Sequence, residues 1–247
     1  MLDYAIVCPL VFIAGFVDSI AGGGGLISLP AYLMTGLSPV GAIATNKFSS
    51  FCGTLVPTWR YARRGMFNVV RSLPAIFAAL AGSAVGAELA LLVPNSVFDK
   101  VMLVVIPLTA VFVLSVKGIR SEKKPYSANA TMWIAATAAL VMGVYDGFYG
   151  PGTGTFLILA LVYIARCTLD MAAGMAKIIN LSTNAAALAV FLYHGSVMLP
   201  LGIVAAVFGI AGNYLGSTFF IRKGSGIAKP IIILVLAIFL VKMLFFQ

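Results

Sequence analysis

The stretch Gly15-Phe16-Val17-Asp18-Ser19-Ile20-Ala21-Gly22-Gly23-Gly24-Gly25 decides how this chain is read. It lies inside a long apolar segment and holds two things that a membrane helix avoids. One is a carboxylate, Asp18, which costs at least about 2.5 kcal/mol in lipid unless it is paired or wetted. The other is a run of four glycines, each worth about 1 kcal/mol less than alanine in a helix. Helix packing asks for spaced glycines, so a run predicts a backbone that breaks at membrane depth. Such a break is tolerated only where it lines a cavity or packs on protein. The stretch also has a double. Gly143-Val144-Tyr145-Asp146-Gly147-Phe148-Tyr149-Gly150-Pro151-Gly152-Thr153-Gly154 repeats the order of glycine, two residues, aspartate and a glycine-rich break. Two broken helices meeting at one site are expected.

Composition sets the class. Of 247 residues, 62% are hydrophobic and 9% charged, and the mean hydropathy is +1.08. Soluble domains carry about 25% charged residues, so an integral, all-α membrane protein is expected. The net charge of +9 comes from short basic loops between apolar runs, the positive-inside pattern, and not from a nucleic-acid-binding face. Cys8, Cys52 and Cys167 show no CxxC spacing and read as small buried hydrophobes. The start Met1-Leu2-Asp3-Tyr4 lacks a basic signal-peptide region, so the first apolar segment is read as retained.

Apolar segments fall at 4–20, 26–37, 41–59, 69–93, 97–116, 131–149, 155–165, 170–193, 197–221 and 228–246. A spanning helix needs about 20 residues. The segments 26–37 and 155–165 are too short and read as half-helices after the glycine breaks. Pro107 is expected to kink its helix. Asp18 and Asp146 are offset by 128 residues; Lys47 and Lys177, Gly65 and Gly195, Gly82 and Gly212, and Gly86 and Gly216 are offset by 130. This predicts about eight transmembrane segments in two homologous four-segment repeats: residues 1–118, a basic cytoplasmic linker at 119–128, and residues 129–247. The GxxxG pairs at 82/86 and 212/216 read as close helix packing.

Charge relates the halves. Arg60, Arg63, Arg64 and Arg71 flank one loop of the first half, whose counterpart around His194-Gly195 has no Lys or Arg. The next loop shows the opposite bias, with Arg222, Lys223 and Lys229 in the second half against Asp99 and Lys100 in the first. With basic loops cytoplasmic, the repeats are expected to be inverted, as in many secondary transporters.

Polar groups inside the apolar segments come mostly in repeat-related pairs. Lys47 has Thr45, Asn46, Ser49 and Ser50 as neighbours; Lys177 has Asn180, Ser182, Thr183 and Asn184. Lys47 lies about 9–10 Å into its helix at 1.5 Å per residue, so a snorkelling amine is the plain alternative. Recurrence in the second half favours a site. Two ammonium groups, amide and hydroxyl donors, the half-helix N-termini and the breaks at Gly22, Gly23, Gly24, Gly150 and Gly152 would together suit an anion. Asp18 and Asp146 read either as caps for the broken backbone or as groups that carry protons or counter a lysine. Glu88, whose counterpart is Thr218, reads as a buried acid that is a candidate for proton coupling, with pairing to a basic group or a wet position near the helix end as alternatives. His194 stands alone, so a metal centre lacks ligands. No phosphate-binding GxxxxGK[ST] loop occurs, and no cofactor is implied.

These motifs resemble the TauE/SafE family of sulfite and organosulfur anion transporters. The likeness rests on the opening stretch Gly15–Gly25, on Ala44-Thr45-Asn46-Lys47, on Tyr61-Ala62-Arg63-Arg64-Gly65, and on the echo at Gly143–Gly154 with Ala176-Lys177 and Asn184. The resemblance implies a multi-pass permease in the cytoplasmic membrane that carries sulfite or an organosulfonate. The Tyr149–Gly154 break departs from a pure glycine run, so the two half-sites need not contribute equally. The expected function is secondary transport of a small sulfur-containing oxyanion by alternating access, with Lys47, Lys177, Asn46, Ser49, Asn180, Thr183 and Asn184 as substrate-binding residues. A homo-oligomer is compatible with it. The alternatives are a cation or other small-solute carrier, a channel, or a membrane-embedded enzyme. The enzyme reading lacks a catalytic constellation.

Overall fold

The computed structural model describes residues 2–94, 97, 124–224, 227 and 230. Among the described residues eight helices run in order: α1 (Leu2–Ala21), α2 (Gly25–Leu33), α3 (Pro39–Arg63), α4 (Val69–Leu92), α5 (Ala128–Phe148), α6 (Thr153–Tyr163), α7 (Leu169–Tyr193) and α8 (Leu199–Lys223). The expected segments 97–116 and 228–246, the kink at Pro107 and residues 119–123 of the linker 119–128 lie, but for residues 97 and 230, outside the described residues.

Local chemistry sets the helix starts. The side chains of Ser38, Asn68, Ser127 and Thr168 accept from Gly41 N, Arg71 N, Ala130 N and Met171 N respectively, each satisfying an orphan N–H of a first turn. Pro39 occupies the first turn of α3, where its missing N–H costs nothing.

Among the described residues five helices, α1, α4, α5, α7 and α8, are long and apolar enough to cross a membrane, and the chain is a multi-pass membrane protein. α3 is as long as α7, at 25 residues, but polar groups such as Asn46 and Lys47 lower its apolarity. Phe77 on α4, Trp133 and Val141 on α5, and Val207 on α8 are exposed on the outside of the bundle, as faces solvated by lipid require.

Glycine stripes let particular helices touch. A Cβ on Gly82 would lie 2.4 Å from Leu140 O, and one on Gly86 2.1 Å from Val144 O. α4 and α5 therefore pack backbone to backbone, running in the same direction. The contact of α8 with α1 has the same form: a Cβ on Gly212 would lie 2.0 Å from Phe12 O, and one on Gly216 2.2 Å from Phe16 O. Both GxxxG pairs serve close packing. α3 runs alongside α8: Met198 N donates to Thr45 Oγ1 at 3.0 Å, Gly53 faces Asn213, and the Tyr61 and Phe220 rings lie 5.4 Å apart. The turns at 64–68 and 194–198 reverse the chain from α3 to α4 and from α7 to α8. So α1, α3 and α8 point one way, and α4, α5 and α7 the other.

Two apolar clusters mark the ends of the bundle. One gathers Val7, Val11, Tyr32, Ala42, Ala90, Phe191 and Leu201. The other gathers Ile20, Tyr61, Phe67, Ala75, Ala135, Leu157, Ala172 and Phe220. The buried polar residues lie between them. Arg60, Arg63 and Arg64 close α3 beside Tyr214 and Ile221 of α8. Arg71 and Arg166 line one surface cavity beside the start of α5. The basic residues thus share the end that holds Tyr61 and Phe67.

Candidate functional site

The two glycine-rich links, Gly22–Gly24 between α1 and α2 and Tyr149–Gly152 between α5 and α6, touch in the middle of the bundle. Gly22 has φ +76°, and a Cβ there would lie 2.3 Å from Gly154 C. A Cβ on Gly154 would lie 2.6 Å from Gly22 Cα, and one on Gly25 3.1 Å from Pro151 Cα. Thr155 ties the two links together: its N–H donates to Gly22 O at 3.3 Å and its hydroxyl to Ala21 O at 2.8 Å. The backbones approach too closely for side chains, which is the physical reason for glycine on both sides.

Each lysine pairs with the aspartate from the other half of the chain. Lys47 Nζ lies 2.6 Å from Asp146 Oδ2, with both side chains about 3% exposed. Lys177 Nζ lies 2.7 Å from Asp18 Oδ2 and also donates to the Asp18 main-chain carbonyl. Asp18 Oδ1 accepts from Gly24 N at 3.3 Å. This aspartate therefore both counters a lysine and caps the first link, combining two roles that sequence alone leaves as alternatives. Neither lysine snorkels; both are buried. The four groups together are neutral.

A cavity of about 40 Å³ adjoins this cluster. That is room for more than one water molecule. Of the residues expected at the site, Lys47, Asn46, Ser49, Asn180, Asn184, Gly22, Gly24, Gly150, Asp18 and Asp146 line it. Gly23, Gly152, Thr183 and Lys177 do not line it. Gly152 instead takes φ +84° to start α6, and the Thr183 hydroxyl bonds to Asn180 O at 2.9 Å. Lys177 is held away by Asp18, so the halves contribute unequally: the Lys47 pair faces the cavity and the Lys177 ammonium is closed off. Gly150 makes room for this arrangement, since a Cβ on it would lie 3.0 Å from Lys47 Nζ.

The lining sets the Lys47 ammonium and a few free amide donors beside two carboxylates, Asp18 and Asp146, each countered by a lysine. Among the described residues nothing accepts from the amide nitrogens of Asn46 or Asn180, whose oxygens accept from Ser50 Oγ at 3.5 Å and Asn184 Nδ2 at 3.2 Å. Tyr32 OH fixes Ser49 by donating to its Oγ at 2.7 Å. Sequence reasoning missed Ser28, Thr54, Thr153 and Asn213, all of which line the cavity. The signal for Asn213 was its place one turn after Gly209, on a glycine-marked helix face.

Glu88 is corrected. It is not buried: its side chain is 55% exposed, and Oε1 lies 3.4 Å from His194 Nε2. The inward positions of α4 near it are Ser83, Gly86, Ala87 and Ala90, and residue 88 falls on the outer face. His194 is correspondingly not alone.

The comparison with known proteins bears out the family that these motifs suggest. The family model described as "Sulfite exporter TauE/SafE" matches residues 7–243. The chain belongs to the TauE/SafE family. Among curated relatives, a probable membrane transporter protein (ORF9) of Sinorhizobium is 35% identical over 91% of this chain and 85% of its own length. A probable membrane transporter protein of Haemophilus influenzae is 31% identical over 98% of this chain and 95% of its own. The probable membrane transporter protein YfcA of Escherichia coli is 31% identical over 96% of this chain and 87% of its own. No solved structure matches the chain. As a TauE/SafE member, the protein has its crossed Lys–Asp pairs and paired glycine links at the centre of a fold that the family match covers almost end to end.

Proposed function

We propose that this protein is a secondary transporter in the cell membrane for a small sulfur-containing oxyanion, such as sulfite or an organosulfonate. The observation that carries the reading is the buried Lys47 ammonium in the cavity wall, beside the unspent amide donors of Asn46 and Asn180. A cation site wants free carboxylates and carbonyls, whereas the two carboxylates in this lining, Asp18 and Asp146, are each paired with a lysine. The substrate anion would take the place of Asp146 against Lys47. An added charge in a neutral buried cluster costs several kcal/mol; a proton taken up by Asp146 as the anion displaces it would keep the cluster neutral.

We further propose two inverted repeats, 1–118 and 129–247, joined by a cytoplasmic linker at 119–128. Support comes from helix direction: α1 and α5, the first helices of the two halves, point opposite ways, as do α3 and α7, and α4 and α8. The glycine-rich links are then broken helices, and the basic end is cytoplasmic. Alternating access would exchange the two pairs, opening Lys177–Asp18 as Lys47–Asp146 closes. Transport, with no chemical change to the solute, is the activity proposed, and the chain as a homo-oligomer is compatible with it.

Uptake into proteoliposomes tests the reading, with sulfite, sulfoacetate, taurine and sulfate offered with and without a pH gradient. Saturable uptake of an intact anion, stimulated by the gradient, is expected. Failure of every anion with folded protein would overturn the reading.

A further inference from the structure

Asn213 lines the cavity from α8, is 4% exposed, and has a side-chain oxygen with no hydrogen-bond partner among the described residues. Its amide orientation is fixed by the other end of the group: Nδ2 donates to Gly209 O at 2.9 Å, and a flipped amide would set oxygen against oxygen. The amide is wedged between two helices that lack side chains at that level. A Cβ on Gly15 would lie 2.7 Å from Nδ2, and one on Gly53 2.6 Å from it. The repeat-related residue on α4 is Ser83, whose hydroxyl donates to Thr183 O at 2.6 Å. A serine can therefore fill the matching position and be satisfied, whereas Asn213 is a larger group that leaves an acceptor unused. Leaving a buried acceptor without a partner is unfavourable; the free donors of the lining, the amides of Asn46 and Asn180 beside the Lys47 ammonium, suit an anion, whereas Asn213 Oδ1 calls for a donor.

We infer that Asn213 is a specificity residue of the proposed anion site, and that the solute it selects is a small anion bearing a hydrogen-bond donor. A hydroxyl or ammonium substituent, or a protonated oxyanion, would serve. The anionic end meets Lys47, Asn46 and Asn180, and the donor hydrogen meets Asn213 Oδ1. The inference rests on the anion reading above and names the class of solute within it.

Two near-isosteric probes test it: ethanesulfonate and 2-hydroxyethanesulfonate, which differ by one hydroxyl. Each is titrated against the purified full-length protein by thermal shift and by competition in proteoliposome uptake. The hydroxylated anion is expected to bind about tenfold more tightly, the scale of one buried hydrogen bond. In Asn213→Ser and Asn213→Ala, both smaller than the native side chain, the ratio of the two affinities is expected to fall toward one. Equal binding of both probes by the wild-type protein would leave the anion site standing and overturn the donor requirement. A preference retained in both variants would remove Asn213 from the role. Binding of neither probe would count against the anion site itself, and the inference would fall with it.

Discussion

Lys47 of α3 and Asp146 of α5 form a 2.6 Å ion pair buried in the middle of the bundle, and its mirror, Lys177 with Asp18, joins α7 to α1. Each pair is held by one residue from each half of the chain, so neither half can complete its own charge balance. A glycine link beside each aspartate brings the opposing backbone within reach. Charge pairing and glycine packing therefore work as one device at the centre of the fold.

Lys47→Gln removes one partner of a buried pair and leaves Asp146 uncompensated, a change that costs about 3–5 kcal/mol in comparable sites. The melting temperature of the single variant is expected to drop sharply and that of Lys47→Gln with Asp146→Asn to recover most of the loss. Anion uptake should be absent from both. Recovery of transport in the double variant would show that the ammonium is not needed for the solute.

Gly22→Ala and Gly36→Ala separate close packing from backbone strain. Both positions have positive φ, +76° and +77°, but a methyl at Gly36 meets nothing within 4 Å whereas one at Gly22 runs into Gly154. The Gly36 variant should lose only the conformational cost, about 1–2 kcal/mol. The Gly22 variant is expected to lose clearly more, in thermal melts of both proteins in the same detergent. Equal losses would mean that the two links are not in contact.

Glu88→Gln should leave transport and its response to a pH gradient unchanged, because the carboxylate is on the outer face of α4 and its partner is His194. Uptake at several pH values, with wild type alongside, checks this. A flattened pH response would bring Glu88 back into the coupling path.

Much of this arrangement could be read from the sequence because it is written in residues that have few substitutes. Glycines at 22, 82, 86, 212 and 216 meet opposing backbone at distances that no side chain allows, so the 128- and 130-residue offsets survive in plain view. Lysine and aspartate in apolar segments were equally visible, because burying either one without a partner is costly. Which lysine met which aspartate was not legible: the crossing of the pairs is set by the packing of α4 on α5 and α1 on α8, which no local pattern encodes. Glu88 was misread for a related reason. Hydropathy marks the segment as apolar but does not say which face turns outward, and α4 presents apolar residues on both. Asn213 was overlooked because an asparagine in a glycine-rich helix has an ordinary structural use, and only its unpaired oxygen distinguishes it.

The asymmetry between the two pairs gives the last prediction. Lys47 lines the cavity and Lys177 does not, since the Lys177 ammonium is spent on the Asp18 carboxylate and on the Asp18 carbonyl. If the solute meets Lys47 in this state and Lys177 in the alternate one, removing Lys177 should spare first binding and block turnover. Lys177→Gln combined with Asp18→Asn, which leaves no unpaired charge, is expected to bind the anion within about threefold of wild type, a difference of less than 0.7 kcal/mol. Its net uptake should fall by at least about tenfold. Binding is read by thermal shift and turnover by proteoliposome uptake on the same preparation. Loss of binding and transport together would place Lys177 in the first contact with the solute, and the two pairs would then form one site that acts in a single state.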